Sequence, residues 1–513
     1  MTAARPVGDG PDPRATAGRV LARRATSLAP RIVILGGGFA GVTAAMDLAR
    51  RCAGVLPVQL TLVSDRNYFL FTPMLAEAAT GAVETRHVLH PIRPLASATG
   101  FEFAAMAVEG IDLARRRITV RHHRAPVRQE IRYDRLVLAL GASPNTAIAP
   151  GAAEHALTFK EAGDAIAIRN RVIDLFEAAA LSDDPWLRRR LLTFVVVGAG
   201  HAGTELMAAI EELGRGILLR HYPTILATDV RLVLVGSGIL PQTATNLAAY
   251  AKTQLESRRI ELETARAAGV TPDGLALADG RFVESRCVIW TAGNRVSPVV
   301  AALPLPKAKD GRILVNDFFE VAGAPGVYAL GDNAAQVDVH TGQLYVATAQ
   351  VALRQGRVLA ANLEAELTGH PRRPFRFKLL GEMVPLSRRT AVADLMGVKL
   401  RGFPAWFLWK TIYMLKLPTL ATRVRVVLDW TVELFFERDV SELAVGQAGR
   451  AVGRQPGRVR RADWRADCQS GGVWAGGSPR PSSSSRRSPC CRAGSYSIAP
   501  KPGRSGPPWA RCS

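Results

Sequence analysis

Hydrophobic and polar positions along the chain follow two recurring patterns. One is a short apolar run ending in glycine, and the other a longer stretch in which apolar residues recur at helical spacing. Arg31-Ile-Val-Ile-Leu35 is the first such run, followed by a glycine cluster, a helical stretch at Val42–Arg51 and a second run at Val58–Val63. The order returns at Leu191–Val197, another glycine cluster, a helical stretch at Thr204–Leu213 and the run Arg231–Val235. Arg132–Gly141 and Val327-Tyr-Ala-Leu-Gly-Asp332 add two more apolar runs that close on glycine. Residues 160–190 predict an amphipathic helix closed by Asp184-Pro185. Unbroken apolar strands interleaved with helices predict parallel sheets in an α/β architecture.

Two copies of one strand–glycine–helix–strand unit predict two Rossmann-like dinucleotide-binding domains. The return to a strand near 327 predicts that the second is inserted into the first, with the first domain at 31–159 and 296–365 and the second at 160–295. From 366 to 445 the character changes. Residues 403–436 are dense in Trp, Phe, Leu and Val, with Lys410, Lys416, Arg423 and Arg425 interspersed. Two readings stand for this stretch: a buried helical layer, or an amphipathic anchor lying in a membrane interface. No run of about 20 apolar residues predicts a spanning helix. Residues 1–30 and 446–513, rich in Arg, Gly, Ser and Pro, read as a disordered arm and a disordered basic tail.

The net charge of +22 alters this picture little, because residues 446–513 carry 13 basic residues against 2 acidic ones, half of the excess. With no recognition motif beside it, the charge is no argument for nucleic-acid binding, and none is expected. Of six cysteines, only Cys52 and Cys287 lie in the body, with no CxxC and no metal-ligand spacing. This predicts a reducing compartment, no metal and no thiol chemistry. It excludes a disulfide reductase, which needs a redox dithiol, and argues against a sulfide:quinone oxidoreductase.

The candidate chemistry lies in the glycine clusters. In Gly36-Gly-Gly38-Phe-Ala-Gly41 the first glycine allows the tight turn, the second lets backbone approach a pyrophosphate, and the third lets helix pack on strand. At the second strand's tip, Val63-Ser64-Asp65-Arg66 offers Asp65 as the acid for a ribose hydroxyl. Gly198-Ala-Gly200-His-Ala-Gly203-Thr-Glu205 repeats the fingerprint, with Glu205 in the first helical turn facing the same pocket. Its strand tip, Val235-Gly236-Ser237-Gly238, has no acid, so NADPH is not excluded beside NADH. Gly331-Asp332 sets a carboxylate at a strand end, fit to hold a sugar or ribityl hydroxyl. Gly141 and Gly293 close apolar strands, and at Trp290-Thr-Ala-Gly293 the backbone is again brought close to a nucleotide.

These residues resemble the type II NADH dehydrogenases, single-chain NADH:quinone oxidoreductases of the two-dinucleotide flavoprotein superfamily. The resemblance runs from about Arg31 to Leu443. It also rests on Asn67-Tyr-Phe-Leu-Phe-Thr72-Pro-Met-Leu75, Ala79-Thr-Gly81, Arg86-His-Val, Pro91-Ile-Arg93, Ala349-Gln350-Val-Ala-Leu-Arg-Gln-Gly356 and Ala405-Trp-Phe-Leu-Trp-Lys410. It implies FAD at Gly36, Gly38 and Gly41, with Asp65, Arg66, Thr72, Gly331, Asp332 and Ala349 around it, and NADH at Gly198, Gly200 and Gly203. It implies Glu205, Gln350 and Lys410 as the residues serving hydride and electron transfer to a membrane quinone. Residues 403–436 correspond to the family's peripheral anchor, which would put the protein on the cytoplasmic face of the cell membrane; a homodimer is left open. Asp65 stands one position late, Gly236 replaces an acid, Arg354 a glutamine and Arg388 a glycine. Two rival functions remain at this stage: another FAD/NAD(P)H oxidoreductase, such as a ferredoxin-type reductase, and a membrane-attached flavin redox sensor.

Overall fold

The computed structural model describes residues 29–443; the terminal arm up to residue 28 and the tail expected over 446–513 lie outside the described residues. Strand β1 (Arg31–Leu35) leads through the first glycine cluster into α1 (Phe39–Cys52), and β2 (Gln59–Ser64), β3 (Glu102–Ala105) and β4 (Arg135–Leu138) follow. The chain then builds a second sheet from β5 (Leu157–Thr158), β6 (Thr193–Val197), β7 (Arg231–Val235), β8 (Ile260–Glu263) and β9 (Cys287–Trp290). Only afterwards does β10 (Val327–Ala329) return to the first sheet, whose order is β10-β4-β1-β2-β3. The second sheet runs β5-β9-β6-β7-β8, and every pairing in both is parallel. Parallel strands need helices on both faces, which is why β6 is Thr-Phe-Val-Val-Val and buried throughout.

The second sheet's helices are α2 (Ala162–Ala180), α3 (Pro185–Leu191), α4 (His201–Glu211) and α5 (Thr245–Ser257). Asp184-Pro185 starts α3 instead of closing one long helix: the Asp184 carboxylate accepts from Trp186 N at 2.9 Å, and proline occupies the first turn. After β10, α6 (Ala349–Thr368) packs along α1. The approach is so close that a Cβ on Gly356 would stand 2.6 Å from the Ala40 carbonyl oxygen.

The region after 366 corrects the expectation of a purely helical segment. It opens with an antiparallel sheet, β11 (Gly381–Ser387), β12 (Thr390–Leu395) and β13 (Val398–Gly402), before α7 (Phe403–Lys416) and α8 (Leu420–Phe435). The first two strands of this sheet bury apolar residues on both faces, which hides the alternation that marks a half-buried strand. Val384, Leu386 and Val392 pack against Leu240 and α5, while Met383, Ala391 and Ala393 pack against Ala405 and Trp409 of α7. It is therefore a platform that fixes α7 against the second nucleotide unit. No helix among the described residues is long and apolar enough to cross a membrane.

Candidate functional site

The turn after β1 is built by steric necessity. Gly36 has φ +116, and a Cβ there would overlap the Ala139 carbonyl oxygen; a Cβ on Gly41 would overlap the carbonyl of Gly36. A Cβ on Gly38 would meet no protein atom, because that glycine faces a cavity of about 460 Å³. The structure brings most of the first site's candidates to this one space: Gly36, Gly38, Asp65, Arg66, Thr72, Gly141, Gly331, Asp332 and Ala349 all line it. Gly41 sits beneath, in the helix–strand contact. Ser64, not Asp65, occupies the tip of β2. It is buried and accepts from Arg66 N at 3.3 Å, while Asp65 is half exposed one position further on. The cavity thus runs from a helix N-terminus and strand tip to the Asp332 carboxylate, a shape and donor set that fit an extended dinucleotide such as FAD.

The second fingerprint repeats that geometry closely. Gly198 has φ +115, and a Cβ on Gly203 would overlap the Gly198 carbonyl oxygen. Thr291, two residues before Gly293, donates to the carbonyls of Val197 and Gly198 at 2.9 and 3.0 Å. Its surroundings differ. The shortened loop after β7 folds back, so that Leu240 N donates to the Ala199 carbonyl, and His201 meets Glu382 of β11 at 2.8 Å. Gly236 at the strand tip is pressed against Ala199, where a Cβ would stand 2.6 Å from the Ala199 Cβ.

Glu205 and Lys410 line a second, larger cavity of about 740 Å³ between α4, β11, α7 and α8. Its walls are mostly apolar, including Phe403, Phe407, Met414, Val427 and Leu434. Burial, and next the charge of Glu77, push the Glu205 carboxyl well above the usual carboxylate range. Lys410 Nζ donates to Glu77 Oε1 at 2.5 Å and lies 4.0 Å from the centre of the Trp430 ring. Gln350, next to Ala349 in the first turn of α6, spans to the platform: its Oε1 accepts from Leu380 N at 2.9 Å and its Nε2 donates to the Gly381 carbonyl at 3.4 Å. Thr72 lines the first cavity and Glu77 the second, so one short segment walls both.

Sequence reading missed several groups at these sites. Lys160 Nζ contacts Asp332 at 3.3 Å, and the adjacent Glu161 pairs with Arg66, so two neighbouring residues of one loop meet two of the charged groups that line the cavity. Buried Asn333 accepts from Gly141 N and donates to the Leu138 carbonyl; buried Gln355 accepts from Gly331 N and is held in turn by Gln336. Glu77 was also missed. The adjacent Leu-Gly-Asp and Ala-Gln motifs drew attention to the cavity's ends, but nothing local marks a residue whose partner is hundreds of positions away. The two body cysteines are buried, and burial pushes the Cys287 thiol up to about 12 and raises that of Cys52, which leaves neither a reactive thiolate at neutral pH. No metal-ligand cluster occurs among the described residues.

Two parallel sheets, the second inserted into the first and each with a dinucleotide turn, define a pyridine-nucleotide-linked flavoprotein oxidoreductase. Residues 30–356 match the family model for pyridine nucleotide-disulphide oxidoreductases, and residues 381–439 match that of the NDH2 C-terminal domain. A type II NADH:quinone oxidoreductase of Mycobacterium tuberculosis is 31% identical over 427 residues, covering 80% of this chain and 89% of its own. A probable NADH dehydrogenase of Dictyostelium discoideum is 30% identical over 421 residues, covering 80% and 91%. The solved structure of NDH2 from Plasmodium falciparum in complex with NADH superposes with a TM-score of 0.74 at 18% identity, over 80% of this chain and 99% of that one; it speaks for the fold. The chain belongs to the type II NADH dehydrogenases of the pyridine nucleotide-disulphide oxidoreductase superfamily.

Proposed function

We propose that this chain is an FAD-dependent NADH:quinone oxidoreductase that works as a peripheral membrane protein on the cytoplasmic face. The observation that carries this reading is where the larger cavity opens. Phe403, Phe407, Val427 and Leu434 line its wall and are themselves exposed, in an apolar face that continues through Leu428 (56% exposed) and Phe435 (77%). So much contiguous apolar surface is unusual on a monomer in water. Lys416, Arg423 and Arg425 flank it, which suits contact with anionic headgroups. A lipid-dissolved quinone would then enter from the membrane without crossing water.

Bound FAD would supply the redox chemistry, accepting hydride from the nicotinamide and passing electrons on. The protein's part is placement. Gly36–Gly41 and Asp332 hold the flavin dinucleotide, and Gly198–Gly203 with Gly293 hold NADH or NADPH. Gln350 ties the flavin end of α6 to the platform, and Glu205 and Lys410 serve the quinone. The named relatives support the substrates; the mostly apolar cavity supports a quinone over a ferredoxin, which would need a polar docking face. The test is rapid mixing of FAD-loaded protein: NADH should bleach the flavin, and a short-chain quinone should restore its absorbance over many turnovers. Absence of bleaching would overturn the reading; bleaching followed by a stall with quinone would point to the sensor. Flotation with vesicles of anionic lipid, lost when Phe407 and Phe435 are changed to Ser, tests the membrane contact.

A further inference from the structure

Resting on the quinone reading above, we propose that Glu77 is a positioning residue for quinone reduction. It clamps Lys410 and Trp430 to the cavity wall and compensates the Lys410 ammonium on the wall that Glu205 shares, so that Glu205 can carry a proton to the quinone.

The geometry is unusually closed for an ion pair beside an open cavity. Glu77 sits in a four-residue helix, Leu75–Ala78, where its carbonyl accepts from Ala82 N at 2.9 Å and so ends the turn. One carboxylate oxygen takes the Lys410 ammonium at 2.5 Å, and the other takes the Trp430 indole N–H at 3.2 Å. The two charged side chains are only 17% and 12% exposed. One residue of the flavin unit therefore fixes groups from both C-terminal helices. A largely buried pair of this kind is costly to break, because the surviving charge is left without a partner.

The consequence falls on Glu205. It lies on α4, against which the Leu75–Ala78 turn packs, and no protein group among the described residues hydrogen-bonds its carboxyl. Around the cavity, Arg438 bonds both Glu212 and Glu433, and Arg388 bonds the Glu433 carbonyl, so these charges are largely engaged with one another. Arg389 also lines the wall, and Tyr413 of α7 lies close enough to feel the Glu205 charge. What Glu205 meets from the flavin unit is Glu77, with the charge of Lys410 held against it. Burial and Glu77 act in the same direction on Glu205, both favouring its neutral form.

The stoichiometry needs such a group. NADH delivers two electrons and one proton as hydride, while quinol formation takes two electrons and two protons. The second proton passes from the Glu205 carboxyl to a quinone carbonyl oxygen, and Glu205 recovers it from solvent, so the sum is NADH + H⁺ + quinone giving NAD⁺ + quinol.

Two measurements on FAD-loaded protein test this. The first is the pH profile of flavin reoxidation by a short-chain quinone, taken after NADH reduction has been timed separately. The second is an infrared titration of the protonated carboxyl stretch without substrate. In wild type the reoxidation rate should fall above the pH at which the Glu205 carboxyl band disappears. Glu77→Gln frees the Lys410 charge beside Glu205, so limb and band should move together to lower pH by about one unit, while NADH reduction changes less than about twofold. Glu77→Asp should restore part of the shift, and Glu205→Gln should remove both band and limb. A Glu77→Gln protein that is uniformly slower, with limb and band unmoved, would reduce Glu77 to a structural tie and overturn the proposal. So would a limb that survives Glu205→Gln. If wild-type flavin is never reoxidised by quinone, the functional reading has failed instead, and the infrared band still reports whether Glu77 sets the protonation of Glu205.

Discussion

The two nucleotide units share a turn and differ in what surrounds it. Gly36 and Gly198 have φ of +116 and +115, and the third glycine of each fingerprint lies against the carbonyl of the first. Around the first turn, charged and polar side chains converge from five chain segments on one cavity: Ser64 to Arg66, Thr72, Lys160 with Glu161, Ser297 and Asp332. Around the second, the strand tip is glycine, the following loop is bonded back onto Ala199, and His201 is taken up by Glu382. The first unit's cavity carries polar and charged groups from many segments, as suits a resident cofactor. The second offers a phosphate-binding turn with few charged contacts, as suits a substrate that must leave.

Breaking each turn in the same way gives the largest expected effect. Alanine at Gly36 or Gly198 meets a strained φ and a backbone or hydroxyl oxygen, a cost on the order of 3 kcal/mol to the turn as built, so the turn must shift away from the geometry that receives a pyrophosphate. Gly36→Ala should yield colourless protein. Gly198→Ala should keep its flavin at wild-type content, yet show no bleaching when NADH is added. Flavin absorbance per chain reads the first outcome and rapid mixing the second. Loss of flavin from the Gly198→Ala protein would mean that the two units do not bind independently.

Acid should separate the units next. His90 is buried, stacked near Phe69 and edge-on to Phe71, and burial pushes its pKa down to about 4. The unfolded chain takes up this proton as pH falls through 6.5 and the folded chain only near 4. Stability is therefore lost as pH drops across that window, by up to about 3 kcal/mol. His90 pairs with Phe69, whose neighbours Tyr68 and Leu70 line the flavin cavity, so flavin release should accompany the loss. Melting temperatures between pH 7 and 4.5 should fall in wild type and less in His90→Phe. An unchanged slope in that variant would sink the assignment.

What could be read from the sequence follows the same division. The β1 and β6 turns were legible because glycine geometry is local: strand, turn and helix lie within a few residues. Lys160 and Glu77 were not, since their partners Asp332 and Lys410 lie 172 and 333 positions away. The 381–402 sheet was missed because its first two strands are covered on both faces, which erases the period-two pattern there. Asp332→Asn tests the first of these hidden pairs. Losing the charge partner of Lys160 should weaken FAD by about 10-fold, roughly 1 to 2 kcal/mol for a charge-assisted contact, read from flavin fluorescence on dilution.

The smallest expected change would sharpen the second unit toward the first. An acid at the tip of β7 would accept from the adenosine ribose hydroxyls of NADH and repel the extra phosphate of NADPH. It cannot be installed at Gly236, where a side chain would collide with Ala199. Ser237 is exposed and one position further on, the same late register that Asp65 occupies in the first unit. Ser237→Asp should therefore raise the preference for NADH over NADPH by about 5-fold, ~1 kcal/mol, through KM and with little change in kcat. If the ratio does not move, the ribose does not pass the tip of β7. The folded-back 236–244 loop, bonded to Ala199 through Leu240, would then have rerouted the nucleotide rather than merely stripped its acid.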